Sequence, residues 1–408
     1  MPPERVDIVD LTSIVRHRVF KASALRGVSL LTGLVSSVAI ANLGGADVKG
    51  ITSAFAATTI LVFTLGNMDL AQQVIKVGRE QGDLDATRRR LLRLWPWYGG
   101  LSLVGVAVGF IAHKPYVSWV ALGAFVYLVT ASMGSAANAL SGPAVVALGG
   151  LVQQLVLLVA ALALWASGNL TSSMAPVVVI TSFVAPLPLY VRAARPVSTG
   201  VGAIPGPSLV ALMKGGMRWQ PARLAQNLLI RLDLLVVAAV LGASSAGVYS
   251  VGVALAGLAG IIPAQFSLNS FFEAAQGSGK SLRKNIVAAV VAGSIGGALL
   301  AAVGWPFISV AYGKEFEGSY GVLLAALPGV IAYGSVQVHT NQMRILGTAR
   351  SVFIPSILGL GSLVLALAIL VPSFGITGAA LASSCGCGVA AVSTYLQLRG
   401  ARLAGKTA

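Results

Sequence analysis

Lys214-Gly215-Gly216-Met217-Arg218-Trp219-Gln220-Pro221-Ala222-Arg223-Leu224-Ala225-Gln226-Asn227-Leu228-Leu229-Ile230-Arg231-Leu232-Asp233, continued by an apolar run to Leu241, decides how this chain is read. As a helix rising ~1.5 Å per residue, it is long enough to cross a hydrocarbon core of ~30 Å. At ~100° per residue, Gln220, Arg223, Gln226, Asn227 and Arg231 share one face, with Asp233 at its edge. Arg231 falls roughly 18 Å beyond Trp219, near mid-membrane. An arginine there costs ~2.5–3.5 kcal/mol on insertion scales, and such residues face a bundle interior or a wet cavity. The plainer alternative is a structural Arg231–Asp233 pair, with Arg223 snorkelling to the interface.

Composition agrees with a membrane setting. The chain has 408 residues, 56% hydrophobic and 10% charged, with a mean hydropathy of +0.85. Soluble domains carry about 25% charged residues, so the expected fold class is an all-α polytopic membrane protein. In a soluble chain, a net charge of +16 would point to nucleic acid. Here the positive-inside rule accounts for it, and no nucleic-acid partner is called for. Cys385 and Cys387 lie two apart in an apolar helix and face different sides, which suits neither a disulfide framework nor a zinc site. No metal or other cofactor is expected. The start, Met1-Pro2-Pro3-Glu4-Arg5, lacks a signal-peptide core, so the first span is expected to remain as the insertion signal.

Outward from the deciding stretch, the apolar runs number about twelve. Residues 1–21 alternate apolar and charged positions and suit an amphipathic cytoplasmic segment on the membrane surface. Residues 22–194 hold six spans, forming an N-terminal lobe. Residues 195–213, with three prolines and three glycines from Pro196 to Pro207, form a linker almost at mid-chain. Residues 214–398 hold six more spans as a C-terminal lobe, and 399–408 form a cytoplasmic tail. With both termini inside, nearly all the lysines and arginines fall on the inner face. The exceptions are Lys49, Lys114 and Lys314 outside, and Arg223 and Arg231 within the membrane. Ala46 and Ser373 are then expected on the outer surface, Asp85 and Gly279 on the inner. An internal echo accompanies this layout: the first two spans turn at Leu43-Gly44 with Gly50 following, the seventh and eighth at Leu241-Gly242 with Gly247 following. Two lobes related by a pseudo-twofold axis normal to the membrane would place a substrate between them.

Several stretches resemble the polysaccharide and O-antigen flippases of the multidrug/oligosaccharidyl-lipid/polysaccharide exporter superfamily. The resemblance is carried by Arg231-Leu232-Asp233-Leu234-Leu235-Val236-Val237, Ala246-Gly247-Val248-Tyr249-Ser250 and Ala311-Tyr312-Gly313-Lys314-Glu315-Phe316. It continues through Leu346-Gly347-Thr348-Ala349-Arg350 and Val371-Pro372-Ser373-Phe374-Gly375-Ile376-Thr377-Gly378-Ala379-Ala380-Leu381-Ala382. In order and spacing these pieces cover most of the chain. Two stretches depart from the family pattern. Asn67-Met68-Asp69 ends the second span where Asp-x-Gly is usual, and Ser270-Phe271-Phe272-Glu273 follows the eighth where a proline is usual.

The resemblance implies a pair of helical lobes that move a polyprenyl-diphosphate-linked oligosaccharide from the inner to the outer leaflet of a bacterial cytoplasmic membrane. It implies no enzymatic step. Glycosyltransferases and a glycan polymerase of the same pathway would be partners, beside membrane lipids. A diphosphate needs cations that stay charged at depth, and arginine does so with a fork that suits phosphate. Arg26, Arg223, Arg231 and Arg344 are the candidates, with Asn227 beside them. Asp233 and Asp69 are candidates for coupling. Trp219, Tyr249, Phe266 and Tyr333 are open as sugar-stacking residues. His339 and Gln342 are expected to bond across helices. A cation-coupled drug antiporter of the same superfamily would want more deep carboxylates than Asp233 alone. A glycan polymerase would want a long outer loop with acidic residues, and an assembly scaffold would not require Arg231 at mid-membrane.

Overall fold

The computed structural model describes residues 8–67, 92, 95–194, 209–275, 282–346 and 349–403. Asp69, the basic loop around Arg88, the Pro/Gly linker up to residue 208, Lys280 and the tail beyond residue 403 lie outside the described residues, as does the side chain of Glu273. Every described element is helical, so the chain is an all-α, multi-pass membrane protein.

Among the described residues, seven helices are long and apolar enough to cross a membrane. Two of them, Ala24–Asn67 and Ala349–Arg399, have 44 and 51 residues. At ~1.5 Å per residue each is at least twice the thickness of a hydrocarbon core, so each must break into two spans. The breaks fall at Gly45 (φ 75°, ψ −178°) and Gly375 (φ 55°, ψ −132°), in backbone regions that a side chain would strain. The pair Gly242–Leu258 and Ile261–Ser267 makes one span bent by 54°, and Trp95–Ile111 makes a shorter one. Gln220–Leu229 and Leu232–Val240 complete a broken seventh span. The described helices therefore form twelve passes.

Three details differ from a reading of uniform straight helices. The seventh span is broken at Ile230 and Arg231. The sixth is interrupted at Ala185 and Pro186. The first helix runs unbroken from Ile8, so no break in helix marks residue 21. The outer faces are apolar as lipid demands: Leu101, Phe110, Val310 and Leu365 are each at least 69% exposed. Ala46, expected on the outer surface, is 1% exposed, while its neighbour Asp47 is open to solvent.

By packing, the chain divides into two compact units. The first comprises Met1–Ser36, Gly66–Ala163 and Val177–Gly216; the second comprises Ser37–Leu65, Leu164–Pro176 and Met217–Ala408. In the first unit, Met133, Ala136, Ala137, Tyr190 and Ala194 form a core, with the Tyr190 ring filling space left by Gly134 and Gly149. Ser36 ties the first span to the fifth by donating to the Gln154 carbonyl at 3.1 Å.

In the second unit the tenth span, Ser319–Leu346, is the hub, packed by the eighth, ninth, eleventh and twelfth. Small residues let backbones approach, as is usual between membrane helices. Ser384 donates to the Ala325 carbonyl at 2.6 Å and accepts from the Gly329 N–H at 3.0 Å. Gly359 and Gly386 sit against each other's carbonyls, with Leu229 of the seventh span wedged beside both.

Candidate functional site

The seventh span carries most of the predicted residues, and its break shapes them. Its first half, Gln220–Leu229, buries Ala222, Ala225, Gln226 and Leu229. Its second half, Leu232–Val240, buries Asp233 and Val237. Between them Arg231 takes φ −137°, ψ −19°, outside the helical range, and stands as the cap of the second half. The two halves are still stitched together, by Arg231 N–H to the Leu228 carbonyl at 3.2 Å and Leu235 N–H to the Arg231 carbonyl at 3.3 Å. Discontinuous spans near mid-membrane are a recurrent way to aim backbone and side chains at a substrate.

Asp233 is 3% exposed, and both carboxylate oxygens are engaged. The Tyr249 hydroxyl donates to Oδ2 at 2.6 Å, and the Leu234 N–H donates to Oδ1 at 2.8 Å. The Tyr249–Asp233 bond joins the seventh and eighth spans. Tyr249 is itself fully buried, so its ring has no open face for a sugar. Tyr249→Phe should lower stability by about 1–3 kcal/mol, because it strips a donor from a buried carboxylate. Thermal unfolding in detergent checks this; an unshifted midpoint would mean that the bond contributes nothing.

Arg231 and Arg344 both lie within electrostatic range of the Tyr333 hydroxyl, which hydrogen-bonds Gln337 one turn on. Arg344 comes from the last turn of the tenth span, and Arg231 from the break in the seventh. Around them the tenth span is unusually polar for its depth. Gln226 donates to Thr340 at 2.9 Å and Asn341 to Ser267 at 2.7 Å, and nearby Asn285 donates to Ser270 at 2.9 Å. Hydrogen-bonded polar side chains of this kind hold membrane helices in register. Arg231 and Arg344 are both half-buried, and a guanidinium keeps its charge and suits an anion.

The other predicted residues divide. Asn227 donates to the Arg223 carbonyl at 3.1 Å, which commits one amide hydrogen within its own helix. Arg223 is half-buried one turn before it. Arg26 is also half-buried but belongs to the first unit, whereas the other arginines belong to the second. His339 and Gln342 are 2% and 3% exposed. His339 approaches the Ser351 backbone of the eleventh span, while Oε1 of Gln342 makes no hydrogen bond among the described residues. Gln337, Gln226 and Thr340 were not singled out from sequence. Their signal was there, in the polar run Gln337 to Gln342 inside an otherwise apolar span.

No family model and no curated protein matches the sequence. Solved structures do match in fold. The lipid II flippase MurJ, in an inward closed conformation, aligns with a TM-score of 0.74 at 13% identity, over 93% of this chain and 87% of that one. The MATE multidrug transporter DinF-BH, in complex with a ligand, aligns with a TM-score of 0.72 at 14% identity, over 98% of both chains. A point mutant of the Vibrio cholerae MATE transporter VcmN gives 0.68 at 13% identity, over 96% of this chain and 98% of that one. This chain therefore has, along almost its whole length, the helical fold that a lipid II flippase shares with MATE transporters.

Proposed function

We propose that this protein moves a polyprenyl-diphosphate-linked oligosaccharide from the inner to the outer leaflet of a bacterial cytoplasmic membrane by alternating access. The observation that carries the reading is that the half-buried ionisable side chains Arg223, Arg231 and Arg344 of the seventh and tenth spans are cationic, while Asp233 is engaged by Tyr249. Arginine keeps its charge at depth and can clamp a diphosphate with two parallel bonds. Arg26 and Arg223 serve the same headgroup along its path, with Asn227 beside them. The moving bodies are the six-helix lobes 22–194 and 214–398, with both termini cytoplasmic. Enzymes that build the glycan on its lipid inside the cell, and a polymerase that consumes it outside, are the partners this role requires.

One observation favours a second reading. The likeness to DinF-BH covers 98% of both chains, and that multidrug transporter holds a ligand in its structure. A cation-coupled drug antiporter needs a deep carboxylate free to exchange ions. Asp233 would have to leave Tyr249 to serve, and the other coupling candidate, Asp69, lies outside the described residues.

Reconstitution tests both. Vesicles holding the protein receive a short-chain prenyl-diphosphate oligosaccharide, and an impermeant lectin scores the sugar in the far leaflet. Parallel vesicles receive a cationic fluorescent dye under a proton or sodium gradient. Lectin exposure well above that of protein-free vesicles, without gradient-driven dye movement, is expected. Dye movement without lipid movement would replace the first reading by the second.

A further inference from the structure

The two turns that echo one another in sequence meet one another in the second unit, and they do so reciprocally. A Cβ at Gly50 would overlap the carbonyl oxygen of Ala243, and a Cβ at Gly247 would overlap that of Ala46. In each turn the glycine follows the contacted alanine at the same interval, so each backbone rests on the other through a local two-fold relation. The loop after the ninth span grips the first of these turns. Asn42 Nδ2 donates to the Ala311 carbonyl at 2.7 Å, the Tyr312 hydroxyl donates to Ser37 Oγ at 3.1 Å, and Glu315 accepts the Ala46 N–H at 3.2 Å. Lys49, beside Gly50, is 8% exposed.

We propose that this glycine-on-carbonyl seam is a separable outer seal, held shut by Asn42 and Glu315. It rests on the alternating-access reading above. Two features mark it as a joint rather than a core. The closest approaches at Gly50 and Gly247 are to backbone carbonyls. Two of the gripping residues, Asn42 and Glu315, are solvent-exposed, where hydrogen bonds are weak and exchangeable with water. The echo in the sequence then has a physical cause, since glycine is the residue that lets each turn lie on the other's carbonyl.

The test reads accessibility and needs no transport assay. In the full-length protein with Cys385→Ala and Cys387→Ala, a cysteine is placed at Ala46, buried in the seam, or at Asp47, exposed beside it. Both are challenged in oriented vesicles with an impermeant maleimide. The Asp47→Cys protein should react fast from outside, and the Ala46→Cys protein about tenfold or more slowly. Adding Gly50→Ala, which a helix otherwise favours, should bring the Ala46→Cys rate close to that of Asp47→Cys. Glu315→Ala should raise it several-fold, and Glu315→Gln should keep the parent rate because it keeps the acceptor. Gly388→Ala, where a Cβ meets nothing, is the control and should change nothing. Equal rates for Ala46→Cys and Asp47→Cys in the parent, or a Gly50→Ala rate no different from that of Gly388→Ala, would overturn the seam. So would labelling of Asp47→Cys only from inside. A seam that behaves as described in a protein that moves no prenyl-linked sugar would retire the substrate reading and leave the seal standing. Should Gly50→Ala not accumulate, Glu315→Ala against Glu315→Gln decides.

Discussion

Arg231→Ala should abolish movement of the lipid-linked sugar while the protein still accumulates in the membrane. Removing the arginine relieves an insertion cost of ~2.5–3.5 kcal/mol. It should not strand Asp233, whose oxygens are taken by Tyr249 and the Leu234 N–H. What it removes is one of two cations within electrostatic range of Tyr333, and truncating a buried charged contact to a ligand costs roughly 2–5 kcal/mol. The flipping rate should therefore fall at least about a hundredfold at matched abundance. Arg231→Lys keeps the charge without the fork and should retain partial activity. Asp233→Ala, by contrast, leaves the buried Tyr249 hydroxyl without its acceptor and should lower abundance. The decisive measurement is abundance and leaflet exposure in Arg231→Ala, Asp233→Ala and the double variant. Export restored in the double variant would show that Arg231 serves the fold through Asp233 and not a ligand.

Gly359→Val should strongly destabilise the second unit. A Cβ there would lie 2.7 Å from the Gly386 carbonyl oxygen and 2.9 Å from the Ala390 Cβ, with Leu229 3.4 Å away. Backbone cannot step aside as a flexible side chain can, and overpacking of this kind costs about 3 kcal/mol. Pressure on Leu229 also reaches the break in the seventh span, so protein that survives should lose activity as well. Gly361→Val is the contrast, two residues on in the same helix. Nothing lies within 4 Å of a Cβ there, and the residue faces an apolar surface groove with Ile357, Leu365 and Ile369. It should change stability by no more than about 0.5 kcal/mol. Equal melting points for the two variants would mean that the eleventh and twelfth spans are not packed through these glycines.

Much of this fold was legible because lipid leaves few choices. Unbroken apolar length marks the spans, and glycines with asparagine or proline mark their ends. The break in the seventh span was not expected, since Leu228-Leu229-Ile230-Arg231-Leu232 contains neither glycine nor proline. A sign of it was nevertheless present. Asp233 followed by eight apolar residues reads as an acid in the first turn of a helix, which is where it lies. The Tyr249–Asp233 and Gln226–Thr340 bonds join different spans. They depend on which helices pack together, and a single chain's periodicity is blind to that. Ala46 shows the same limit from the other side. Locally it belongs to an exposed turn, and only the opposing turn at Ala243 and Gly247 buries it.

The single-residue breaks at Gly45 and Gly375 bear on how the protein can be handled. Where one glycine does the work of a loop, almost no chain stands clear of the membrane for a protease to cut or an antibody to hold. An epitope inserted at either glycine would have to be threaded into a helix end, and the register of both flanking spans would shift with it. The exposed turn at Ser167-Gly168-Asn169, between the fifth and sixth spans, carries no such constraint. Tags, nanobody epitopes and fluorophores for following the protein in cells belong there.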